Sequence, residues 1–544
     1  TPMALINAPA SGRMAVGEVV TNIAAANIEK LENVKLSANW MGAPDRLDGN
    51  QDLYEAVEAI GMELCPEWKI TIPVGKDSLS MATDWKEGES PQSVVSPLSL
   101  IISAFAPIED INLAVTPQII VQEKTELLFI DLAKGYKRLG GSIVAQINNI
   151  LAGKTPDVEC VKEMPLFVKC LYRLLQEKKI LSYHDRSDGG LLTTISEMAF
   201  AGRVGVDILL DEILSSKDDY IDTLLNEELG VVIQIETKEK DAVMSCLQMS
   251  GLEDSIYSIG TLNDQNQINL IHDKKITVSW SLKELLENWS RVSFEMQSLR
   301  DNPETAKEEF LYDIDIDRKG LSPKLTFSIP KMLNLNNTKP LLAVLREQGV
   351  NGQVEMAAAF DRAGFSCVDV HMTDLINEKY HLSEFSGMVA CGGFSYGDVL
   401  GAGGGWATNV LHNKNLKEQF SEFFLNESTF ALGVCNGCQA LALLSSLIPG
   451  SNGWPKFIRN TSEKFESRLV QTLIKESPSI FFKDMTGSVL PIPVAHGEGR
   501  VSSSIEDTLL LEEKNLTSLA YADNLGFATE AYPYNPNGSF MGVA

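Results

Sequence analysis

A chain of 544 residues is too long for one hydrophobic core, so roughly two to four domains are expected. With 44% hydrophobic and 22% charged residues the composition is globular, and no apolar run of about 18 residues or more marks a membrane span. Asp and Glu number 73 against 46 Lys and Arg; the net charge of −27 argues against nucleic-acid binding, while an anionic substrate could still enter a local basic or glycine-rich pocket.

The opening TPMALINAPASGR has no charged start followed by an apolar stretch, so it is no secretory signal, and it lacks an initiator Met. The closing NGSFMGVA reads as a strand cut short, and both ends are expected to be truncated. Eight scattered cysteines fit reduced thiols in a cytoplasmic protein.

In chain order, residues 1–118 predict a helix at 17–30, a strand at 33–41, a helix at 52–61 and strands within VVSPLSLIISAFAPI. Glu18 and Asn22 stand four apart, on one face of the first helix. Two oxygen ligands so placed suit Mg²⁺, although the same spacing fits an ordinary helix surface. VGKDSLSM (74–81) sets Lys76 among a glycine, an aspartate and serines at a strand end, where it could meet a phosphate or simply form a solvated turn.

A second domain spans 119–290, opening with the strand in ELLFIDL and containing another at GVVIQIE. Its LSYHDRSDGGLL (181–192) runs from an apolar strand into a loop with two aspartates and two glycines, then a helix. Glycines allow close approach to phosphate, and the acids could hold metal. The acidic stretch 211–228 reads as a solvated face, and 291–335 as a polar linker with a short helix.

From 336 to 544 short buried strands alternate with helices: LLAVLRE, VEMAAAFDRAG, FSCVDVHM, FSGMVACGG, FALGVC and QALALLSSL. That alternation predicts a doubly wound parallel sheet, with its site at the carboxyl ends of the strands. There lie the Gly392–Gly393 loop and Cys435, within GVCNGCQAL. Cys435 and Cys438 could be a redox pair or half a zinc site, but no second Cys-x-x-Cys or His-rich segment completes a zinc site. Gly433 and Gly437 bracket Cys435 in a strand–turn–helix, the pattern of a nucleophile elbow, whose helix N-terminus favours a thiolate. A buried structural cysteine in a tight turn is the bland alternative.

GVCNGCQAL resembles the nucleophile motif of class I glutamine amidotransferases, and CGGFSYGDVLGAGGGWA (391–407) resembles their oxyanion loop. WPKFIRNTSEKFESRLV (454–470) and PVAHGEGR (493–500) narrow the resemblance to the phosphoribosylformylglycinamidine synthase family, large single-chain type. Gly404 departs from it, standing where an acid is expected. The resemblance implies an α/β and α+β multidomain chain. Half of an aminoimidazole-ribonucleotide-synthetase-like ATP-binding module (1–118 and 119–290) precedes a linker (291–335) and a C-terminally incomplete glutamine amidotransferase domain (336–544).

The activity it implies is a carbon–nitrogen ligase of de novo purine biosynthesis. Formylglycinamide ribonucleotide, glutamine and ATP would give formylglycinamidine ribonucleotide, glutamate, ADP and phosphate, with ammonia carried through an enclosed passage. Cys435 is then the nucleophile and Cys438 the bystander; Gly392, Gly393, Cys438, Gln439 and His496 form the oxyanion and glutamine site. Glu18, Asn22 and Asp185 hold Mg²⁺, and Ser187 and Lys76 contact ATP. The family pattern puts the catalytic His and Glu in a later Pro-His-Pro-Glu segment, so the base for Cys435 is expected beyond Ala544 and His496–Glu498 is not taken as a triad. An N-terminal half of the same enzyme is the expected missing partner. Competing readings are a stand-alone glutaminase or thiol hydrolase, a catalytically incomplete fragment, and a scaffold that only binds ligands.

Overall fold

Asn7 opens the first long helix: its side chain accepts the Ala10 amide at 3.1 Å, and Pro9 presets φ in the first turn. The helix runs Ala8–Ala24 rather than 17–30, and the chain turns away through Asn27 at φ +63°. Val16 and Val20 are fully buried in the same core cluster as Leu128, Ile130, Phe167 and Val231, each worth about 1.5–3 kcal/mol of apolar burial. Gly17 permits that approach, because a Cβ there would lie 2.5 Å from Leu229 Cδ1.

The computed structural model describes residues 2–46, 49–214, 216, 219–328, 339–397 and 399–544. Residues 329–335 of the expected linker, residues 215, 217 and 218 of the acidic stretch, and residue 398 of the glycine-rich loop lie outside the described residues. The chain forms two compact units, Thr1–Trp289 and Ser290–Ala544.

In the first unit come β1 (Lys35–Met41), β2 (Thr71–Ser78), β3 (Ala82–Glu87), β4 (Ser90–Val95) and β5 (Ser99–Phe105). β1 pairs parallel with β2 and antiparallel with β5, and β3 and β4 form a separate hairpin. The expected 52–61 helix is Gly49–Glu58, continued by a π-helical turn at Ala59–Leu64. Then follow β6 (Thr125–Asp131), β7 (Ser182–Asp185), β8 (Gly205–Leu209), β9 (Gly230–Glu236), β10 (Ile256–Asn263), β11 (Gln267–His272) and β12 (Lys275–Ser281). They make one sheet in the order β12-β11-β8-β10-β6-β9-β7, antiparallel at every step except β8–β11.

The second unit holds β13 (Leu341–Arg346), β14 (Ser366–His371), β15 (Gly387–Ala390) and β16 (Phe430–Gly433), paired parallel in the order β14-β13-β15-β16. Leu342–Leu345 and Met388–Ala390 are buried throughout, as a sheet covered on both faces requires. The order reverses between β13 and β15, the switch point at which such sheets bind ligands. Beside this sheet stand β17 (Lys456–Ile458), β18 (Glu466–Ile474), β19 (Val489–His496), β20 (Arg500–Ser502) and β21 (Leu519–Ala522). They form a β19-β18-β21 antiparallel sheet and a β17–β20 pair.

The NGSFMGVA end is not a strand. Phe540–Gly542 is a 3₁₀ turn, and Val543 makes a single bridge to Ala520. Gly538 and Gly542, at φ +77° and +63°, break the extended run, and the buried Asn535 side chain holds the turn through Gly538 N–H and Ser539 C=O.

The segment expected to be a linker from 291 with one short helix instead begins inside a helix, Leu282–Arg300, and a second helix follows at Pro303–Asp313, capped by Asn302. Its Glu309 meets Arg468 at 2.7 Å, Lys464 at 2.6 Å and the Tyr532 hydroxyl at 3.2 Å. Burial would push this carboxyl up; the Arg468 charge, then the Lys464 and Gln297 bonds, bring it down to about 2.

Candidate functional site

Cys435 follows β16 after a single residue, Val434, and stands at φ +55°, ψ −120°, a backbone conformation that costs an L-residue on the order of 1–3 kcal/mol. The strain is imposed by packing. A Cβ on Gly433 would lie 2.7 Å from Gly437 O, and one on Gly437 only 2.0 Å from Ala390 O. The helix Asn436–Leu443 starts at once, and the Cys435 side chain stands exposed at the mouth of a cavity of about 610 Å³. Gly393, Gln439, Arg459, His496 and Glu498 also line it.

Cys438 is half-buried outside that lining, and burial, then the neighbouring Cys435, pushes its thiol up to about 11. Both cysteines are free thiols. The pair is therefore one exposed sulfur and one bystander.

Gly392 backs the nucleophile, and Gly393 stands beside it at φ +139°. Asn436 Nδ2 donates to Gly393 O at 2.8 Å, and Phe394 N–H donates to Gly349 O at 3.0 Å. The backbone N–H groups of Gly393, Asn436 and Cys438 make no hydrogen bond among the described residues, which leaves donors open around Cys435. Gln439 Nε2 donates to Glu498 O at 3.0 Å, tying the nucleophile helix to the far wall.

His496 and Glu498 do not work as a pair. The Glu498 carboxylate accepts Gly401 N–H at 2.9 Å, while His496 Nδ1 has no partner among the described residues and its ring packs over Gly499. Burial lowers the His496 pKa. No imidazole hydrogen-bonds the Cys435 sulfur among the described residues.

The first unit gathers a second constellation. Tyr183 on β7, fully buried, donates its hydroxyl to Thr21 O at 2.6 Å and pins the Ala8–Ala24 helix to that strand. Asn22 Nδ2 consequently reaches Asp185 Oδ1 at 3.4 Å. Glu18 is exposed along its length, yet its carboxyl has crowded surroundings: burial, then Asp185 and Asp188, raise its pKa against the opposing Ser187 bond. Glu227 adds a further carboxylate, accepting the amides of Gly189 at 2.9 Å and Ile143 at 2.8 Å.

His184 lies between Glu197 at 2.8 Å and Asp185 at 3.3 Å. Burial disfavours its charge, but Asp185 and Glu197 outweigh this and raise its pKa to about 9. Two carboxylates thus hold this imidazole. The remaining donors are carboxylates, a hydroxyl and a carboxamide. That all-oxygen set fits Mg²⁺, and a cation there would relieve the repulsion that raises Glu18.

Of the sequence-predicted residues, Glu18, Asn22, Asp185 and Ser187 converge here. Cys435, Gly392, Gly393, Gln439 and His496 converge in the second unit, with Cys438 just outside the cavity. Lys76 joins neither group: it is exposed, and its ammonium donates to Ser78 Oγ at 2.6 Å. Glu227 and Asn436 are not singled out by the sequence: Asn436 lies inside the cysteine motif, and Glu227 lies in the 211–228 stretch expected to be a solvated face, where Thr223, Asn226 and Glu228 are in fact buried.

Residues 339–544 match the CobB/CobQ-like glutamine amidotransferase domain, 1–107 the FGAR-AT PurM_N-like domain, and 130–273 the C-terminal domain of AIR synthase related proteins. Among solved structures, Thermotoga maritima PurL complexed with FGAR is 12% identical, with a TM-score of 0.41 over 52% of this chain and 44% of that one. PurLQS from Thermotoga maritima is 11% identical, TM-score 0.39, over 67% and 49%. E. coli HypE, a hydrogenase maturation protein, is 15% identical, TM-score 0.37, over 50% and 79%. The chain thus spans less than half the length of the two Thermotoga chains. No described helix is long and apolar enough to cross a membrane. With synthetase-type domains followed by a glutamine amidotransferase domain in one mixed α/β chain, the protein belongs to the FGAR amidotransferase family.

Proposed function

We propose that this chain serves the ATP-dependent conversion of formylglycinamide ribonucleotide and glutamine to formylglycinamidine ribonucleotide and glutamate, with ADP and phosphate released. The observation that carries the reading is Cys435: an exposed thiol on a strained elbow, at a helix N-terminus, facing a cavity beside open backbone donors. The Cys435 thiolate attacks the side-chain amide carbon of glutamine. Donors at Gly393 and Cys438 receive the oxyanion, joined by Asn436 N–H, which directly follows the nucleophile. Ammonia leaves, and water hydrolyses the glutamyl thioester. Gln439 and His496 shape the glutamine pocket.

In the first unit, Glu18, Asn22 and Asp185 would hold Mg²⁺, which when bound neutralises phosphate charge during transfer. Ser187, which converges with these residues, would contact ATP, while Lys76 stands apart on Ser78 and takes no part. ATP activates the substrate amide oxygen as a phosphate, which ammonia displaces.

The test is alkylation by iodoacetamide near neutral pH, read by peptide mass. The expected result is selective labelling of Cys435, slowed by glutamine and absent from Cys435→Ala. Labelling that glutamine leaves unchanged would overturn the reading. Glutamine hydrolysis by the chain is expected to be slight; robust turnover lost in Cys435→Ala would instead make His496 the base.

A further inference from the structure

Two consecutive glycines flank the nucleophile, and such a pair has the least constrained peptide planes a chain can offer. Something must decide which way their amides point. The plane joining Gly393 to Phe394 is held at both ends. Its N–H donates to Gly349 O at 3.0 Å, a backbone hold at a close approach, where a Cβ on Gly349 would lie 2.1 Å from Phe394 O. Its carbonyl accepts Asn436 Nδ2 at 2.8 Å, and this hold alone depends on a side chain.

Asn436 is buried to 8% exposure and is the residue directly after Cys435. One helical turn therefore carries both the nucleophile and the clamp on the loop it works against. The Gly393–Phe394 plane is thus fixed, Gly393 is at φ +139° and lines the same cavity as Cys435, and its N–H makes no hydrogen bond among the described residues.

We propose that Asn436 is a positioning residue for the Cys435 reaction: its carboxamide clamps the Gly393 carbonyl and so keeps Gly393 N–H aimed at the substrate oxygen. Thiolate attack moves the carbonyl π pair onto that oxygen, and a donor already aimed there stabilises the charge without reorganising. Without the clamp the glycine pair can rotate and offer a carbonyl oxygen instead, which repels the developing anion. Deleting one such donor costs about 10²–10³ in rate; misaiming it should cost about 10–100-fold. The inference rests on the reading of Cys435 as a glutamine-cleaving nucleophile.

The test uses the whole chain and two reagents. The γ-(4-nitrophenyl) ester of glutamic acid acylates a thiolate: sulfur bonds to the carbonyl carbon, the carbon–oxygen bond breaks, and 4-nitrophenolate leaves with the electron pair. This reagent needs the oxyanion donors and no protonated leaving group. Iodoacetamide alkylates by direct displacement of iodide, with no oxyanion at the site. For Asn436→Ala, and for the isosteric Asn436→Asp above neutral pH, the maximal acylation rate is expected to fall about 10–100-fold. Half-saturation and the iodoacetamide rate should hold within about threefold. An unchanged acylation rate would overturn the inference and leave the glutamine reading standing. Loss of both reactions together would also overturn it, because that marks a merely structural asparagine. A wild-type chain that iodoacetamide labels but the ester cannot acylate would bring down the glutamine reading, and the inference with it.

Discussion

A methyl group on Gly392 would sit 2.6 Å from Cys435 Cβ and 3.3 Å from its sulfur. Neither atom can withdraw, because the Cys435 backbone is already fixed at φ +55° by the packing of Gly433 and Gly437. Gly392→Ala should therefore displace the nucleophile instead of being absorbed. We expect a stability loss of about 1–3 kcal/mol in urea unfolding, and a drop of more than about tenfold in glutamine-protected labelling of Cys435. Full labelling with native stability would show that the loop yields. At this scale much of the site was legible: a cysteine between glycines at a strand–helix junction announces itself. Asn436 did not, because its role depends on a carbonyl 43 residues away, and no local pattern encodes where that loop crosses.

Two elements are held by polar contacts in addition to apolar packing. The Ala8–Ala24 helix is fixed to β7 by Tyr183, whose hydroxyl is buried on Thr21 O. Tyr183→Phe should cost about 1 kcal/mol and weaken Mg²⁺ binding several-fold, because Glu18 and Asn22 lose their registration with Asp185. Calorimetric titration with Mg²⁺ checks this; unchanged affinity would mean that packing alone sets the register. The four-residue spacing exposed the Glu18–Asn22 face, but the helix start was misplaced. Its signals are one capping asparagine and a proline, set among glycines that weaken helix propensity.

The Pro303–Asp313 helix depends in turn on Glu309. Its folded pKa is depressed to about 2, so its contribution is present above the ordinary carboxylate range and is lost as pH falls toward 2. Glu309→Gln removes that contribution, so the stability gap between the wild type and the variant should narrow by about 2 kcal/mol between pH 7 and pH 3. A gap independent of pH would show that Glu309 acts by packing.

For the molecule as a whole, a net charge of −27 ensures some diffuse attraction for any cation, so specific Mg²⁺ binding must be separated from screening. At matched ionic strength, Mg²⁺ at about 100 times its dissociation constant should stabilise the chain by about 2.7 kcal/mol, and Glu18→Gln with Asp185→Asn should abolish the effect. An equal rise in melting temperature for that double variant would sink the assignment. Strand–helix alternation made the parallel sheet of the second unit readable, since every buried strand carried the same apolar stamp. The order of the seven-stranded sheet was not readable, because antiparallel partners far apart in sequence leave no shared period. Among the eight cysteines only Cys435 is exposed; Cys367 and Cys438 are half-buried, and the rest are buried. The native chain thus offers one address for a thiol-reactive fluorophore, and occupancy of the cavity beside it could be followed optically without engineering any other position.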